Sequence, residues 1–191
     1  MNSPIVYIEK EPFLGMLLGA IDPFKRECLG YIFGKKPSRG DNSYIVESAV
    51  LVQSAQMRKN SEIEQSQLSL RRMNAIFRDY KSLYPLIGDF HSHPEWGKHD
   101  GSPELTNKDI ADMKEAEPGY LGIVIGVSTR ERQPLLSWQT VGGYVKGSLS
   151  KYIFEVSVYV VTQKDGSLSP QRLKIAAPAA IKALNRALGY S

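Results

Sequence analysis

Short runs of β-forming residues, several of them joined by turns of only a few residues, are the strongest constraint on how this chain folds. The runs lie at residues 5–8, 28–34, 43–52, 84–90, 120–127, 135–140 and 152–161. Parallel neighbours need long crossover connections, whereas short turns join antiparallel ones. Because helical segments also interleave with these runs, we expect an α/β protein in which helices flank a mixed sheet.

Four segments have the apolar spacing of helices: residues 11–24, 61–83, 106–117 and 176–188. The second is the clearest, because Met73, Ile76, Phe77 and Tyr80 recur at helical spacing among charged residues. Ser61 is its expected N-cap. Such a stripe indicates core packing rather than a cofactor site. Residues 164–167, Lys-Asp-Gly-Ser, predict a turn.

Composition narrows the class of protein. A chain of 191 residues with 42% apolar residues is long enough for one domain with a substantial core. Its net charge of +4 comes from scattered basic residues, which argues against nucleic-acid binding. We find neither a secretory signal nor an apolar run long enough to span a bilayer. The single cysteine, Cys28, suits a reducing compartment, so we expect a cytoplasmic protein without a membrane partner.

All three histidines of the chain, His91, His93 and His99, fall within nine residues of one another. His91 and His93 stand two apart at the end of a predicted strand, so their side chains share one face. Two imidazoles on one face make half of a zinc site, and Asp109 in the following helix is a candidate third ligand. Two nitrogens and one oxygen leave the fourth tetrahedral position open, as a catalytic zinc requires.

The same residues also have a structural explanation. A His-x-His pair alone is a weak signal for a metal. Thr106 followed three residues later by Asp109 is the pattern of a capping box, which satisfies the first N–H groups of a helix. Capping and metal binding are compatible, because a capped helix aims its first-turn side chains rigidly.

Three separated segments of the chain together resemble a known family. Residues 88–94, Gly-Asp-Phe-His-Ser-His-Pro, followed by residues 106–109, Thr-Asn-Lys-Asp, resemble the metalloprotease motif of the JAB/MPN (Mov34, JAMM) family. That motif is a His-x-His-Pro strand, a loop and a Ser-x-x-Asp helix start, with an upstream glutamate before a glycine-containing apolar strand. Glu27 and the run after it stand in the corresponding place. The resemblance implies an MPN/JAB, cytidine-deaminase-like fold, with a largely antiparallel curved sheet, as a single domain over residues 1–191.

The resemblance also implies a role for each matching residue. His91, His93 and Asp109 would bind Zn²⁺, which activates a water molecule as the nucleophile. Glu27 would be the general base that takes a proton from this water and delivers it to the leaving amine. Thr106 would donate a hydrogen bond to the tetrahedral intermediate.

Two features depart from the family pattern. The loop of residues 94–105 is longer than usual, and Thr106 replaces the motif serine. Ser102 lies nearer to the usual spacing, but Leu105 rather than an aspartate follows it three residues on. We therefore favour the threonine, and we expect the loop residues at 99 and 100 to form a solvated tip.

The function implied by the resemblance is that of a zinc-dependent metallopeptidase or isopeptidase. Its substrate would be the C-terminal tail of a ubiquitin-like or sulfur-carrier-like protein. A nucleobase deaminase needs a Cys-x-x-Cys pair. Because this chain has a single cysteine, that class of enzyme is excluded. The alternative from another class is a family member without catalysis that acts as a scaffold or protein-binding module. The oligomeric state is left open.

Overall fold

The computed structural model describes residues 4–53, 55–59, 62–130 and 134–190. Within these ranges the helices are α1 (Lys10–Ile21), α2 (Gln67–Asp79), α3 (Asn107–Met113) and α4 (Pro178–Ala187). The strands are β1 (Ile5–Ile8), β2 (Leu29–Lys35), β3 (Ser43–Leu51), β4 (Ala55–Lys59), β5 (Glu62–Gln65), β6 (Leu86–Pro94), β7 (Leu121–Thr129), β8 (Gln139–Val141), β9 (Tyr144–Leu149), β10 (Tyr152–Lys164) and β11 (Ser167–Ala176).

Seven of these strands close into a barrel. Their order is β11-β1-β3-β2-β6-β7-β10, and β10 pairs in turn with β11, so neither of these two strands leaves a free edge along the paired residues. β9 and β8 extend the sheet from the first half of β10. The expected α/β fold, in which helices flank an MPN/JAB-type, cytidine-deaminase-like curved sheet, is therefore wrong. The chain is a closed mixed β-barrel with two additional strands.

Closure depends on the length of β10 and on the turn that follows it. One edge of β10 pairs with β9 through Tyr152–Val156 and with β11 from Val158 onward. Asp165 and Gly166, both at positive φ, form the tight connection to β11. The turn predicted at residues 164–167 is thus confirmed. The sequence did not predict the strand after it, because β11 contains Pro170 and two serines, which are poor signals for a strand.

The main hydrophobic core fills the inside of the barrel. All seven barrel strands contribute side chains to it, together with Phe13, Met16 and Leu17 of α1 and Leu184 of α4. The helix predicted at residues 11–24 is confirmed as α1, which ends earlier, at Ile21.

Two smaller hydrophobic clusters cover parts of the outer face of the wall. Under α2, Phe77 packs against Tyr31 and Phe33 of β2, with ring centroids 5.1 and 5.3 Å apart. Under α3, Met113 joins Val124 and the outward side chains of β10. The wall is consequently buried on both faces beneath each helix, and the strip of β6 between the two clusters is left for polar groups.

The predicted helix at residues 61–83 is shorter than expected. The helix is Gln67–Asp79, and Ser66 is its N-cap, with its side chain accepting a hydrogen bond from Ser69 N–H. Residues 62–65 instead form β5, which pairs with β4 in a separate two-stranded sheet. The expected N-cap Ser61 lies outside the described residues.

The strand expected at residues 135–140 is mostly absent, since only Gln139–Val141 is a strand there. Trp138 instead buries its ring between Phe13 and Phe154. The expected helix at residues 176–188 is confirmed as α4, and Asn185 on it hydrogen-bonds both backbone groups of Trp138. Among the described helices, none has both the length and the apolar character needed to cross a membrane.

The packing of β11 against β10 can be tested by comparing a buried and an exposed substitution on β11. Leu173 of β11 lies opposite Val158 of β10 and is 3% exposed, whereas its neighbour Lys174 points outward. We expect Leu173→Ala to lower the free energy of unfolding by about 2–5 kcal/mol, because it removes apolar contacts and leaves a cavity. Lys174→Ala should change it by less than about 0.5 kcal/mol. Urea unfolding measures both, and equal losses would contradict a core that extends across the closing pair.

Candidate metal centre

The centre lies on the outer face of β6. Phe90 and Ser92 point into the barrel, where Phe90 is in the main core and Ser92 Oγ accepts a hydrogen bond from Cys28 N–H at 2.9 Å. Alternation along the strand then directs Asp89, His91 and His93 outward. The predicted placement of the two histidines on one face is confirmed by this arrangement.

His91, His93 and Asp109 converge, with ligand atoms within 4.8 Å of one another. The Nε2 atoms of the histidines are 3.1 Å apart, and each is 3.3–3.4 Å from an oxygen of the Asp109 carboxylate. Two ligands of a tetrahedral zinc, each about 2.0–2.1 Å from the metal, lie about 3.3 Å apart. The side chains are 11–15% exposed, which leaves access from one side. The spacing and donor types therefore fit a zinc ion with an open position.

The backbone fixes the orientation of His93. Its Nδ1 lies 2.9 Å from the carbonyl oxygen of Ser102, which can only accept a hydrogen bond. The proton is therefore on Nδ1, and the lone pair of Nε2 faces His91 and Asp109. Metal-binding histidines in proteins are commonly oriented in this way.

Asp109 is held by the predicted capping box at the start of α3. Asp109 N–H donates to Thr106 Oγ1, and the Asp109 carboxylate accepts from Thr106 N–H at 2.6 Å. The Thr106 hydroxyl also donates to Asp109 Oδ2 at 2.7 Å. Burial acts to raise the pKa of Asp109, but hydrogen bonds that include those from His91 and from the Thr106 hydroxyl outweigh it and hold the pKa well below its usual range. The carboxylate is thus ionised and rigidly aimed.

The hydroxyl of Thr106 is therefore already hydrogen-bonded to Asp109, the candidate third ligand. A donor to a tetrahedral intermediate would have to leave this bond, so the geometry favours an orienting role for Thr106. The alternative residue, Ser102, contributes its carbonyl oxygen to His93, while its hydroxyl accepts from Glu104 N–H at 3.2 Å. His99 and Asp100 are exposed, as expected for a loop tip, and His99 lies outside the described metal-ligating cluster.

Two glycines bring the loop onto the barrel wall. A Cβ atom on Gly126 of β7 would lie 2.5 Å from the carbonyl oxygen of Gly101, and one on Gly101 would lie 2.3 Å from the carbonyl oxygen of His93. Neither position has room for a side chain. This close approach is what brings the Ser102 carbonyl within reach of the His93 ring.

Glu27 precedes β2 and lines the same cleft as His91 and Asp109. Its residue is only 8% exposed. Burial raises the pKa of Glu27, and the neighbouring His91 and His93 partly offset this effect. A carboxylate with a raised pKa beside a candidate metal site has the properties of a general base.

Two polar residues that line the cleft, Asp89 and Tyr120, were not predicted as part of the site. Asp89 shares the outward face with the histidines, and the Tyr120 hydroxyl donates to its Oδ2 at 3.1 Å. Burial raises the pKa of Asp89 to about 6. Alternation along the strand was a sufficient signal for Asp89, because it stands two residues before His91. Tyr120 lies on a distant segment and carried no such signal.

The cleft has a volume of about 890 Å³ and runs between α2 and α3. Its lining includes Asn74 and Phe77 of α2 and Asp112 and Met113 of α3. Residues of β2 and β6, among them Leu29 and His91, also line it. Two of the candidate metal ligands, His91 and Asp109, therefore line a partly apolar cleft.

Comparisons with known proteins bear on the fold alone. No family model and no curated protein matches this chain. The chain is similar to protein DSY2949 from Desulfitobacterium hafniense, whose solution structure superposes with a TM-score of 0.52 at 16% sequence identity. The match covers 90% of this chain and 93% of that one. It supports the architecture along nearly the whole chain.

Replacement of Thr106 tests the support of Asp109. Thr106→Val keeps the shape of the side chain but removes both hydroxyl hydrogen bonds, so we expect the free energy of unfolding to fall by about 1 kcal/mol. We also expect zinc affinity to fall roughly tenfold, because the carboxylate loses its orienting partner. Urea unfolding and competition titration with a chelator measure the two effects. Thr106→Ser, which retains the hydroxyl, is the control, and equal zinc affinity in all three proteins would rule out the orienting role.

The raised pKa of Asp89 predicts an unusual dependence of folding stability on pH. Its pKa of about 6 in the folded protein lies above the value of about 3.9 in an unfolded chain. The folded state therefore binds the proton more tightly, and its stability decreases as pH rises from about 4 to about 6. In chelator-treated protein, Asp89→Asn should be more stable than wild type at pH 7, by about 1–3 kcal/mol, and little different at pH 4. Exposed Asp100→Asn is the control; a destabilised Asp89→Asn protein at pH 7 would contradict the assignment.

Proposed function

We propose that this protein is a zinc-dependent metallopeptidase or isopeptidase. The observation that carries the proposal is the convergence of His91, His93 and Asp109 at distances that suit a tetrahedral zinc, beside the buried Glu27. The resemblance of the same residues to the JAB/MPN motif supports it independently of the overall fold. A cleft that leads to the centre gives a substrate chain access.

In this proposal the two histidines and the aspartate contribute differently to zinc binding. His91 and His93 would hold zinc through neutral imidazole nitrogens, and Asp109 would add one negative charge. When bound, zinc supplies Lewis-acid chemistry, lowering the pKa of a water molecule towards about 7 and polarising a carbonyl group. The hydrogen bonds at His93 Nδ1 and at the Asp109 carboxylate hold these ligands in place without the metal.

Glu27 is the proposed general base. Its raised pKa places the carboxylate nearer to neutral pH than an ordinary glutamate, which suits both the uptake and the release of a proton. Its carboxylate would accept a proton from the attacking water. The same oxygen would then deliver this proton to the leaving amine, so that the base is regenerated in each turnover.

The proposed substrate is the C-terminal tail of a ubiquitin-like or sulfur-carrier-like protein, hydrolysed at a peptide or isopeptide bond. This class follows from the resemblance. Such a tail would enter the cleft between α2 and α3 and lie against Leu29 and Phe77. We also propose a cytoplasmic location, because the one cysteine, Cys28, is free and buried.

Substitution of Glu27 separates metal binding from turnover. We expect wild type and Glu27→Gln to hold about one zinc per chain by elemental analysis, since glutamine leaves the three ligands intact. Cleavage of a ubiquitin-like protein with a C-terminal extension should be about 10²–10⁴-fold slower in Glu27→Gln, because the base is lost.

Asp109→Ala is the matched control, with folding checked by circular dichroism. It should lose both zinc and activity. Full activity of Glu27→Gln would refute the proposed base. Absence of zinc from wild type after metal is supplied would refute the enzyme and favour the scaffold or binding module.

A further inference from the structure

The loop after β6 is fastened to the barrel wall on both sides of Ser102. Before it, Gly101 N–H donates to the hydroxyl of Ser128 on β7 at 2.8 Å. After it, the carbonyl oxygen of Pro103 accepts a hydrogen bond from the buried hydroxyl of Ser157 on β10. The Ser102 carbonyl, which orients the His93 ring, is therefore held between two fixed points.

Glu104, which follows Pro103, is hydrogen-bonded by three side chains, one each from β9, β10 and β11. Its carboxylate accepts from the Tyr144 hydroxyl, from the Tyr159 hydroxyl at 3.0 Å and from the Arg172 guanidinium. Arg172 also donates to both tyrosine hydroxyls at 2.7 Å. We call these four residues the loop clamp.

Arg172 is the centre of the loop clamp. Its guanidinium carbon lies 4.5 Å from the ring centroid of Tyr144 and 5.3 Å from that of Tyr159. Stacking and hydrogen bonding together fix the fork of the guanidinium, which a lysine could not reproduce. β11, the strand that closes the barrel, thus reaches the loop that supports the candidate centre.

We infer that Arg172 and Glu104 are positioning residues for His93. The loop clamp holds the segment of residues 101–104 so that the Ser102 carbonyl fixes the proton on His93 Nδ1 and the lone pair on Nε2. The inference rests on the proposed function in that it takes Nε2 as a metal ligand. It goes further in assigning a role to residues 68 positions apart that do not touch the centre.

The solvent exposure of Glu104 and Arg172 distinguishes a role in positioning His93 from a general contribution to folding stability. The side chain of Glu104 is 54% exposed and that of Arg172 is 30% exposed. An ion pair so open to water contributes little to folding stability. Its effect should therefore appear at the His93 ring and in metal affinity more than in thermal stability.

The test compares Arg172→Met and Glu104→Gln with wild type. Lys146→Met is the matched control, because Lys146 forms an ion pair with Glu155 on neighbouring strands of the same sheet, with side chains 40% and 31% exposed. The probe is Co²⁺, titrated by its visible absorption. In chelator-treated protein at about pH 9, above the ordinary imidazole pKa, nitrogen NMR of the His93 ring reports which ring atom carries the proton.

We expect both loop-clamp variants to bind Co²⁺ about tenfold more weakly than wild type, and their His93 ring to lose its single Nδ1–H form. The double variant should be no weaker than either single one, since the two residues act together. Lys146→Met should match wild type within twofold.

Wild-type Co²⁺ affinity and an unchanged Nδ1–H form in both variants would overturn the inference. If wild type itself binds no Co²⁺, the proposed function fails, but the ring-proton comparison still decides the positioning role. Glu104→Gln, which keeps the size of the side chain but loses the carboxylate that accepts from Arg172 and the two tyrosines, answers the question even if Arg172→Met does not fold.

Discussion

Pairing of β10 with β11 closes the sheet, and the location of the polar chemistry depends on this closure. Closure encloses an interior that α1, α4 and the inward side chains fill with hydrophobic groups. Polar strand residues are then confined mainly to the outer face. There α2 and α3 each cover a hydrophobic cluster, and His91, His93 and Asp89 occupy the strip of β6 that lies between the two. The same closing strand carries Arg172, which holds the loop beside His93.

Local sequence pattern was sufficient for the parts of the site that lie on one element. The two-residue spacing of His91 and His93 places both on one strand face, and the capping pattern places Asp109 in the first helical turn beside Thr106. These inferences need only strand and helix geometry. The expected start of the helix predicted at residues 61–83 was wrong, because the local sequence does not support a helix there. Its apolar stripe begins after residue 67, and the preceding residues carry no helical spacing.

Contacts between residues far apart in the sequence could not be predicted from the sequence. The parallel pairing of β1 with both β3 and β11 joins segments that no turn connects, so an open sheet flanked by helices was the simpler expectation. The Ser102 carbonyl, Tyr120 and Arg172 have no special sequence signal, and each acts through a contact made by folding. Gly126 is a partial exception, because a glycine inside an apolar strand indicates close approach of another backbone.

The weak attachment of α2 has a dynamic consequence. Among the residues of this helix only Phe77 is buried, while Leu68 and Ile76 are 59% and 43% exposed. A segment with so few buried contacts has a low free energy of local opening, far below that of the strands behind it. One wall of the cleft can therefore detach while the barrel, β6 and α3 keep their geometry. A bound chain that packs on Phe77 would restrict this motion, so occupancy of the cleft and ordering of α2 would be thermodynamically coupled.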